Sequence, residues 1–244
     1  MTKLILSIKR IFITTLILIK EQINEPFAFI WILASPVAMF YFYANQPHQD
    51  MSVIAYVDYA SWFYGYVAVT VAMFGFSYYL IGRRESGFVR SFIYHKRAQT
   101  YYLASHFLAY SIIALIYSIS FYLITKPFFE TYDPQELIAL SGRFYIAFVS
   151  LTGSAALLSL IPMKFSSAGM LFSIISLSMI ALSGARRQSD SLDFLDNLNP
   201  LAYVEHIIIK PPSLLWLSII LLLNFIALAI TTVNLRVNPV WNRY

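Results

Sequence analysis

Six long stretches without a charged residue constrain the fold of this chain more than any other feature. Together they hold 142 of the 244 residues. They are residues 26–49, 59–82, 98–125, 144–163, 165–185 and 211–235. An α-helix needs about 20 apolar residues to cross the hydrocarbon core of a bilayer, and backbone groups in lipid must bond within their own segment. The sequence therefore predicts an all-α integral membrane protein with six transmembrane helices.

The composition points the same way. Hydrophobic residues make up 59% of the chain and charged residues 12%, whereas a soluble domain carries about 25% charged residues. So few charges cannot cover a water-exposed surface, which argues against a soluble enzyme or a nucleic-acid-binding module. The chain has no cysteine, and this excludes disulfides, thiolate metal sites and cysteine nucleophiles.

The N-terminal segment, residues 1–25, differs from the six stretches. Its longest uncharged run, residues 11–19, is too short to cross a bilayer. Basic residues flank apolar side chains that recur at helical three-and-four spacing. These apolar residues are Leu4, Ile5, Ile8, Phe12, Leu16, Ile19 and Ile23. The pattern predicts an amphipathic helix lying in the membrane interface. A signal peptide is the alternative, but no small-residue cleavage site follows the apolar run.

The distribution of lysine and arginine predicts the orientation. With a cytoplasmic N-terminus and six spans, 12 of the 17 basic residues fall on inner segments and 5 on outer loops. Acidic residues show the opposite bias. The net charge of +5 is therefore interpreted as a topology signal and not as a nucleic-acid footprint. We expect a multi-pass protein of the cell membrane with both termini in the cytoplasm.

Sequence motifs for catalysis or nucleotide binding are absent. No Gly-Lys dipeptide of a phosphate-binding loop, no His-Glu-x-x-His and no Gly-x-Ser-x-Gly occurs. The adjacent Glu205 and His206, near the acidic residues Asp190, Asp193 and Asp196, suit a solvated outer loop better than a metal site. The chain is predicted to be no enzyme, to hold no cofactor or metal, and to receive any energy from another chain.

One aromatic stripe in the third predicted span has two interpretations. Phe107, Tyr110, Tyr117 and Phe121 recur at helical spacing on one face. Such a stripe is usually internal packing. The other hypothesis makes it an aromatic wall along the path of a bulky amphipathic substrate.

The segment between the second and third predicted spans is the most informative. It reads Gly82-Arg83-Arg84-Glu85-Ser86-Gly87-Phe88-Val89-Arg90-Ser91-Phe92, and its mixture of charged and apolar residues suits a short helix that lies against a protein partner. The segment resembles the coupling helix of the permease subunits of type-two ABC exporters, which docks into the ATPase subunit. In that family the loop carries an acidic residue, a basic residue, a second acidic residue, a variable residue and glycine. Glu85 and Gly87 match this motif, while Arg83 stands in place of its first acidic residue.

Other stretches are similar to the same family. Asn24-Glu25-Pro26 followed by Trp31-Ile32-Leu33-Ala34-Ser35-Pro36 resembles the family's interface helix and first span. Asn199-Pro200-Leu201-Ala202-Tyr203-Val204-Glu205 resembles its Asn-Pro motif, in a connection that folds back into the membrane from outside. The resemblance implies a single permease domain over residues 1–244. It comprises an interfacial helix over 1–25, a cytoplasmic coupling loop over 82–97 and an external, partly re-entrant segment over 184–210.

The resemblance also implies a function. The chain would form the translocation pathway of an ATP-driven exporter for an amphipathic peptide or a hydrophobic drug. A cytoplasmic ABC ATPase would bind ATP and Mg²⁺ and contact the coupling loop. A second permease copy is expected, more simply as a homodimer than as a heterodimer, with membrane lipid around it and no nucleic acid. The residues implied in coupling are Arg84, Glu85, Gly87, Phe88 and Arg90.

Three alternatives stay open at the level of the sequence. A permease for a lipid-linked glycan or a polysaccharide shares the Trp31 and Asn199-Pro200 features. An intramembrane enzyme would need polar groups near a membrane face, for which Glu205 and His206 are the candidates. A non-transporting immunity or anchor protein would need no catalytic group at all.

Overall fold

The computed structural model describes residues 2–45, 55–93, 95–186 and 199–240, and within these ranges the chain forms nine α-helices and no strand. The helices are α1 (Thr2–Ile23), α2 (Pro26–Ala44), α3 (Tyr56–Glu85), α4 (Phe88–Phe92), α5 (Lys96–Thr125), α6 (Pro134–Leu158), α7 (Phe165–Arg186), α8 (Pro200–Ile209) and α9 (Leu214–Asn234). The middle of α3, Val71–Tyr78, is π-helical, and a short 3₁₀ turn, Lys126–Phe128, extends α5. The predicted all-helical class is confirmed.

Five of these helices are long and apolar enough to cross a membrane, namely α3, α5, α6, α7 and α9. The chain is therefore a membrane-embedded helical protein. The first predicted span corresponds to α2, in which the described side chains, Ile30–Ala44, form a shorter apolar stretch. Residues 46–49 at the end of that predicted span lie outside the described residues. Within the described residues the structure thus shows five candidate spans, where the sequence predicts six.

The start of α6 differs from the prediction. The helix begins at Pro134 and not at residue 144, because the Asp133 carboxylate accepts the backbone N–H of Gln135 at 2.8 Å and Pro134 occupies the first turn. Arg143 consequently lies inside a helix, where the sequence suggested a loop. Its guanidinium donates to the carbonyls of Ile208 and Ile209 at 2.9 and 3.1 Å and so satisfies the C-terminal end of α8.

Helix α3 lies at the centre of the packing, and 67% of its apolar stretch is buried, against 11% for α7. It contacts α2, α5, α6 and α8. A Cβ atom added to Gly75 would lie 2.7 Å from the Tyr110 ring, so the glycine permits the close approach of α3 and α5. In the π-helical segment the Phe76 carbonyl lies 2.9 Å from Nε2 of the buried His106, and this contact accompanies the local break in α-helical bonding.

Helix α1 packs along α5 through one face and exposes its apolar stripe on another. The buried face contains Thr15, Leu18 and Gln22, and Thr15 Oγ1 donates to the carbonyl of Ser105 at 3.3 Å. The exposed stripe contains Ile8, Phe12, Leu16 and Ile23, which are 50–61% exposed. The predicted helix is confirmed, and its exposed apolar stripe suits lipid contact. Its location in the membrane interface stays a prediction.

Candidate functional site

The predicted coupling loop contains a sharp turn followed by a short helix. Helix α3 ends at Glu85, and Gly87 adopts the left-handed conformation (φ 75°) that favours glycine. Backbone N–H groups of Ser86 and Gly87 close the turn by donating to the carbonyls of Gly82 and Arg84 at 2.9 and 3.1 Å. Helix α4 then begins at Phe88. The short helix expected from the sequence is present.

Arg84 lies at the centre of a buried hydrogen-bond network. Arg84 is 1% exposed. Its guanidinium donates to the carbonyls of Ser159 and Met163 at 2.9 and 2.7 Å, and to the Ile161 carbonyl at 3.4 Å. These carbonyls belong to the turn between α6 and α7, where a helix end leaves acceptors unsatisfied. Arg84 therefore attaches the end of α3 to the α6–α7 turn.

Glu85 extends this network to the C-terminal segment. It is 7% exposed, and its carboxylate accepts from Arg84 Nε at 2.9 Å and from the backbone N–H of Val240 at 3.1 and 3.2 Å. Three segments distant in sequence thus meet at one ion pair. We call this set of contacts, formed by Arg84, Glu85, the 159–163 turn and Val240, the loop junction.

The implied coupling residues differ in exposure. Arg84 and Glu85, both implied in coupling to an ATPase, are buried against their own chain, and their role in coupling stays a prediction. In the short helix, Val89 is 1% exposed and anchors it to the core. Arg90 on the same helix is exposed, and Phe88 is partly exposed with the Arg83 guanidinium 4.4 Å from its ring centroid. Among the implied coupling residues, Arg90 is the charge presented at the surface.

Arg83 belongs to a second polar cluster that sequence reasoning missed. It forms an ion pair with Glu21 at 2.6 Å, and the Tyr79 hydroxyl donates to the same Glu21 oxygen at 2.7 Å while also contacting Arg83. The cluster attaches the end of α1 to the end of α3. No local pattern could have revealed it, because Glu21 precedes its partners by two helices.

A cavity of about 820 Å³ adjoins the loop junction. Phe74, Tyr78 and Tyr79 of α3 and Phe165 of α7 form its aromatic walls, and Tyr78 stacks on Phe165 with ring centroids 4.3 Å apart. Polar side chains complete the lining, namely Gln22, Glu25, Arg83, Glu85, Ser86, Lys164 and Ser166. We call it the α3–α7 cavity. Its mixture of aromatic surface with charges of both signs suits an amphipathic ligand.

The aromatic stripe of the third predicted span packs inside the chain. Tyr110, Tyr117 and Phe121 are 2%, 1% and 0% exposed, and Phe107 is half-buried against the same core. The Tyr110 hydroxyl donates to Gln22 at 2.9 Å, and the Phe121 ring lies 4.9 Å from that of Tyr64. These contacts favour core packing between α3 and α5, and the hypothesis of a substrate wall stays a prediction.

The described part of the 184–210 segment consists of the end of α7 and helix α8. Asn199 is 2% exposed and caps α8 by accepting the backbone N–H of Leu201 at 3.0 Å. Pro200 occupies the first turn. The Asn199 amide donates to the Met179 carbonyl and to Ser183 Oγ at 3.1 and 2.9 Å. The start of α8 therefore lies alongside the last turns of α7.

The acidic residues of this outer region do not form a metal site in the described structure. Glu205 faces Arg186 at 3.9 Å, and no group of three or more potential ligands occurs among the described residues. Asp190, Asp193 and Asp196 lie outside the described residues.

The fold and these sites define a membrane-embedded helical protein with a buried junction at the end of α3. No family model matches the chain. Protein McbE of Escherichia coli is similar to it, with 27% identity over 244 positions that cover 93% of this chain and 96% of McbE. The similarity extends over nearly the whole length of both proteins.

Proposed function

We propose that this chain is the membrane subunit of an ATP-driven exporter of the type-two ABC kind. A separate cytoplasmic ATPase would bind ATP and Mg²⁺ and dock on α4. The observation that supports this proposal is the loop junction, which attaches a short helix with an exposed arginine to three parts of the membrane domain. A loop whose only role was to carry basic residues for topology would not need a buried Arg84 with four hydrogen-bond contacts.

The junction suggests how force on α4 would reach the membrane. Arg84 holds the α6–α7 turn, and α7 is otherwise lightly packed, with 11% of its apolar stretch buried. Its main attachment to α3 is aromatic, through Phe165 on Tyr78 and Phe172 near Phe74 with ring centroids 6.0 Å apart. Movement of α4 would pull the turn and tilt α7 against α3. The α3–α7 cavity would then change shape.

The α3–α7 cavity is the proposed entry for substrate, in place of the buried stripe of α5. Aromatic walls and charges of both signs favour an amphipathic peptide or a hydrophobic drug. A strongly anionic glycan would favour a basic lining, whereas Glu25 and Glu85 here accompany Arg83 and Lys164.

The proposed topology has six spans, with both termini in the cytoplasm of a cell-membrane protein. Helix α2 would be the first span, because its 19 residues reach about 28 Å, close to the thickness of the hydrocarbon core. Helix α8 would be re-entrant, since its ten residues cover only about half that thickness and it starts beside the end of α7. Two copies of the chain would enclose the pathway.

A charge reversal at Arg90 tests the docking surface. Like charges placed across an interface cost several kcal/mol, so Arg90→Glu should abolish co-purification of an ATPase with the full chain from native membranes. ATP hydrolysis in the purified sample should fall with it. Arg236→Glu is the matched control, because Arg236 is also exposed and follows α9 near the loop junction.

Retention of the ATPase by Arg90→Glu would contradict docking on α4. Absence of any ATPase from the wild-type preparation would favour the enzyme or anchor alternatives instead.

A further inference from the structure

A polar cleft of about 630 Å³ lies beside α8, at the opposite end of α7 from the loop junction. Three helices contribute to it, and we call it the α8 cleft. Its polar lining consists of Ser150 and Ser154 of α6, Arg186 of α7, the capping Asn199, and Tyr203, Glu205 and His206 of α8. Polar groups at membrane depth are expensive unless they contact water, protein or a polar ligand. The cleft can therefore hold water or a polar ligand.

An apolar groove of about 380 Å³ between α6 and α9 continues the cleft, since both are lined by Ser150, Ser154 and Tyr203. The remaining groove residues are mainly aliphatic. They include Leu157, Ile220, Leu223, Ile226 and Ile230, of which Leu223, Ile226 and Ile230 are 61%, 44% and 43% exposed. Exposed aliphatic side chains on a membrane-spanning helix face the hydrocarbon. The groove therefore opens sideways into the bilayer.

The change from polar to apolar lining follows membrane depth. Arg186 is the last residue of α7, whose 22 residues span about 33 Å, so its guanidinium lies near one membrane face. Ile230 lies about 24 Å along α9 from Leu214, which starts near the same face. The charged end of the cleft, at Arg186 and Glu205, is thus at headgroup level. The groove descends from there past the bilayer centre.

The charges in the cleft match a zwitterion. Arg186 and Glu205 lie 3.9 Å apart, and their side chains are 42% and 20% exposed, so both charges border the cleft. A guanidinium binds phosphate through paired donors, and a carboxylate accepts from an ammonium group.

We propose that the α8 cleft binds a phospholipid with a primary amine, phosphatidylethanolamine. The phosphate contacts Arg186, the ammonium contacts Glu205, and one acyl chain lies in the α6–α9 groove. A peptide would satisfy the charges equally well but would leave the lateral opening without a purpose. The proposal requires a membrane-embedded chain and is independent of transport and of any ATPase.

Native mass spectrometry of the detergent-purified full chain tests this site. The probes are phosphatidylethanolamine, phosphatidylcholine and phosphatidylglycerol of the same acyl length, at equal concentration. We expect about tenfold stronger retention of phosphatidylethanolamine than of phosphatidylcholine, whose quaternary amine cannot donate to Glu205. Arg186→Gln should weaken all three. Glu205→Gln should abolish the preference and leave phosphatidylcholine retention unchanged, which also reports an intact site.

Lys210→Gln is the control, because Lys210 is exposed on the same side and does not line the cleft. Equal retention of the three lipids by the wild type, or an equal loss in Lys210→Gln and Arg186→Gln, would overturn the proposal. Displacement of the lipid by trialanine, a zwitterion without an acyl chain, would overturn it in favour of a peptide site.

Discussion

Arg84 shows at the scale of one residue what the sequence could and could not reveal. The motif around Glu85 and Gly87 was recognisable, and so was the short helix that follows it. The partners were not, because the carbonyls of the 159–163 turn and the N–H of Val240 are brought to Arg84 only by the tertiary fold. Charged side chains in a loop were therefore interpreted as surface, although both are buried.

Truncation of Arg84 should be strongly destabilising. Arg84→Ala would remove the guanidinium from the buried Glu85 carboxylate and from the carbonyls of the 159–163 turn, and breaking a buried pair in this way costs about 3–5 kcal/mol. Arg84→Lys should cost less, because the charge stays while the planar set of donors is lost. Thermal unfolding of the purified chain in detergent measures both. Arg90→Ala, at an exposed position, should change stability by only about 0.5 kcal/mol. Equal melting temperatures for Arg84→Ala and Arg90→Ala would contradict the loop junction.

At the scale of the element, uncharged stretches predicted where helices occur but not where they end. Helix ends depend on caps, such as Asp133 before α6 and Ser213 before α9. The sequence also could not distinguish a pathway-lining face of α5 from a packed one. A pathway-lining face and a packed face both give aromatic residues at helical spacing. Only the position of α3 relative to α5 distinguishes the two.

A comparison of two glycines of α6 tests the packing of α6 against α9. A Cβ atom on Gly153 would lie 2.7 Å from Asn224 Oδ1 and 3.1 Å from the Asn224 Cα atom, so Gly153→Ala must push α9 away. We expect a loss of about 1–3 kcal/mol. Nothing lies within 4 Å of a Cβ atom on Gly142, and Gly142→Ala should be neutral or stabilise the helix by up to about 1 kcal/mol. The measurement is thermal unfolding of both variants, and equal effects would refute the α6–α9 contact.

At the scale of the whole molecule, the number of spans determines whether the two ends of the chain lie on the same side of the membrane. The charge pattern predicts six crossings, whereas five helices of the described residues meet the length and apolarity of a span. The difference is α2, in which the described side chains cover only Ile30–Ala44, whereas the whole helix has 19 residues, within the range that can cross a bilayer. Helices α5, α6, α7 and α9 give an even number of crossings after α3, so Lys96 and Arg236 lie on the same side in either case.

Reporter fusions therefore distinguish six crossings from five by the result at Arg10. If α2 crosses the membrane, α2 and α3 together return the chain to its starting side, and a reporter at Arg10 should agree with reporters at Lys96 and Arg236. If α2 stays on one side, the reporter at Arg10 should give the opposite result. We expect agreement, with all three reporters cytoplasmic, because 12 of the 17 basic residues then lie inside. A reporter at Lys210, between α8 and α9, should be external. An external result at Arg10 with cytoplasmic results at Lys96 and Arg236 would establish five crossings. It would also contradict the 2.6 Å ion pair between Glu21 and Arg83, because α1 and the loop junction would then lie on opposite faces.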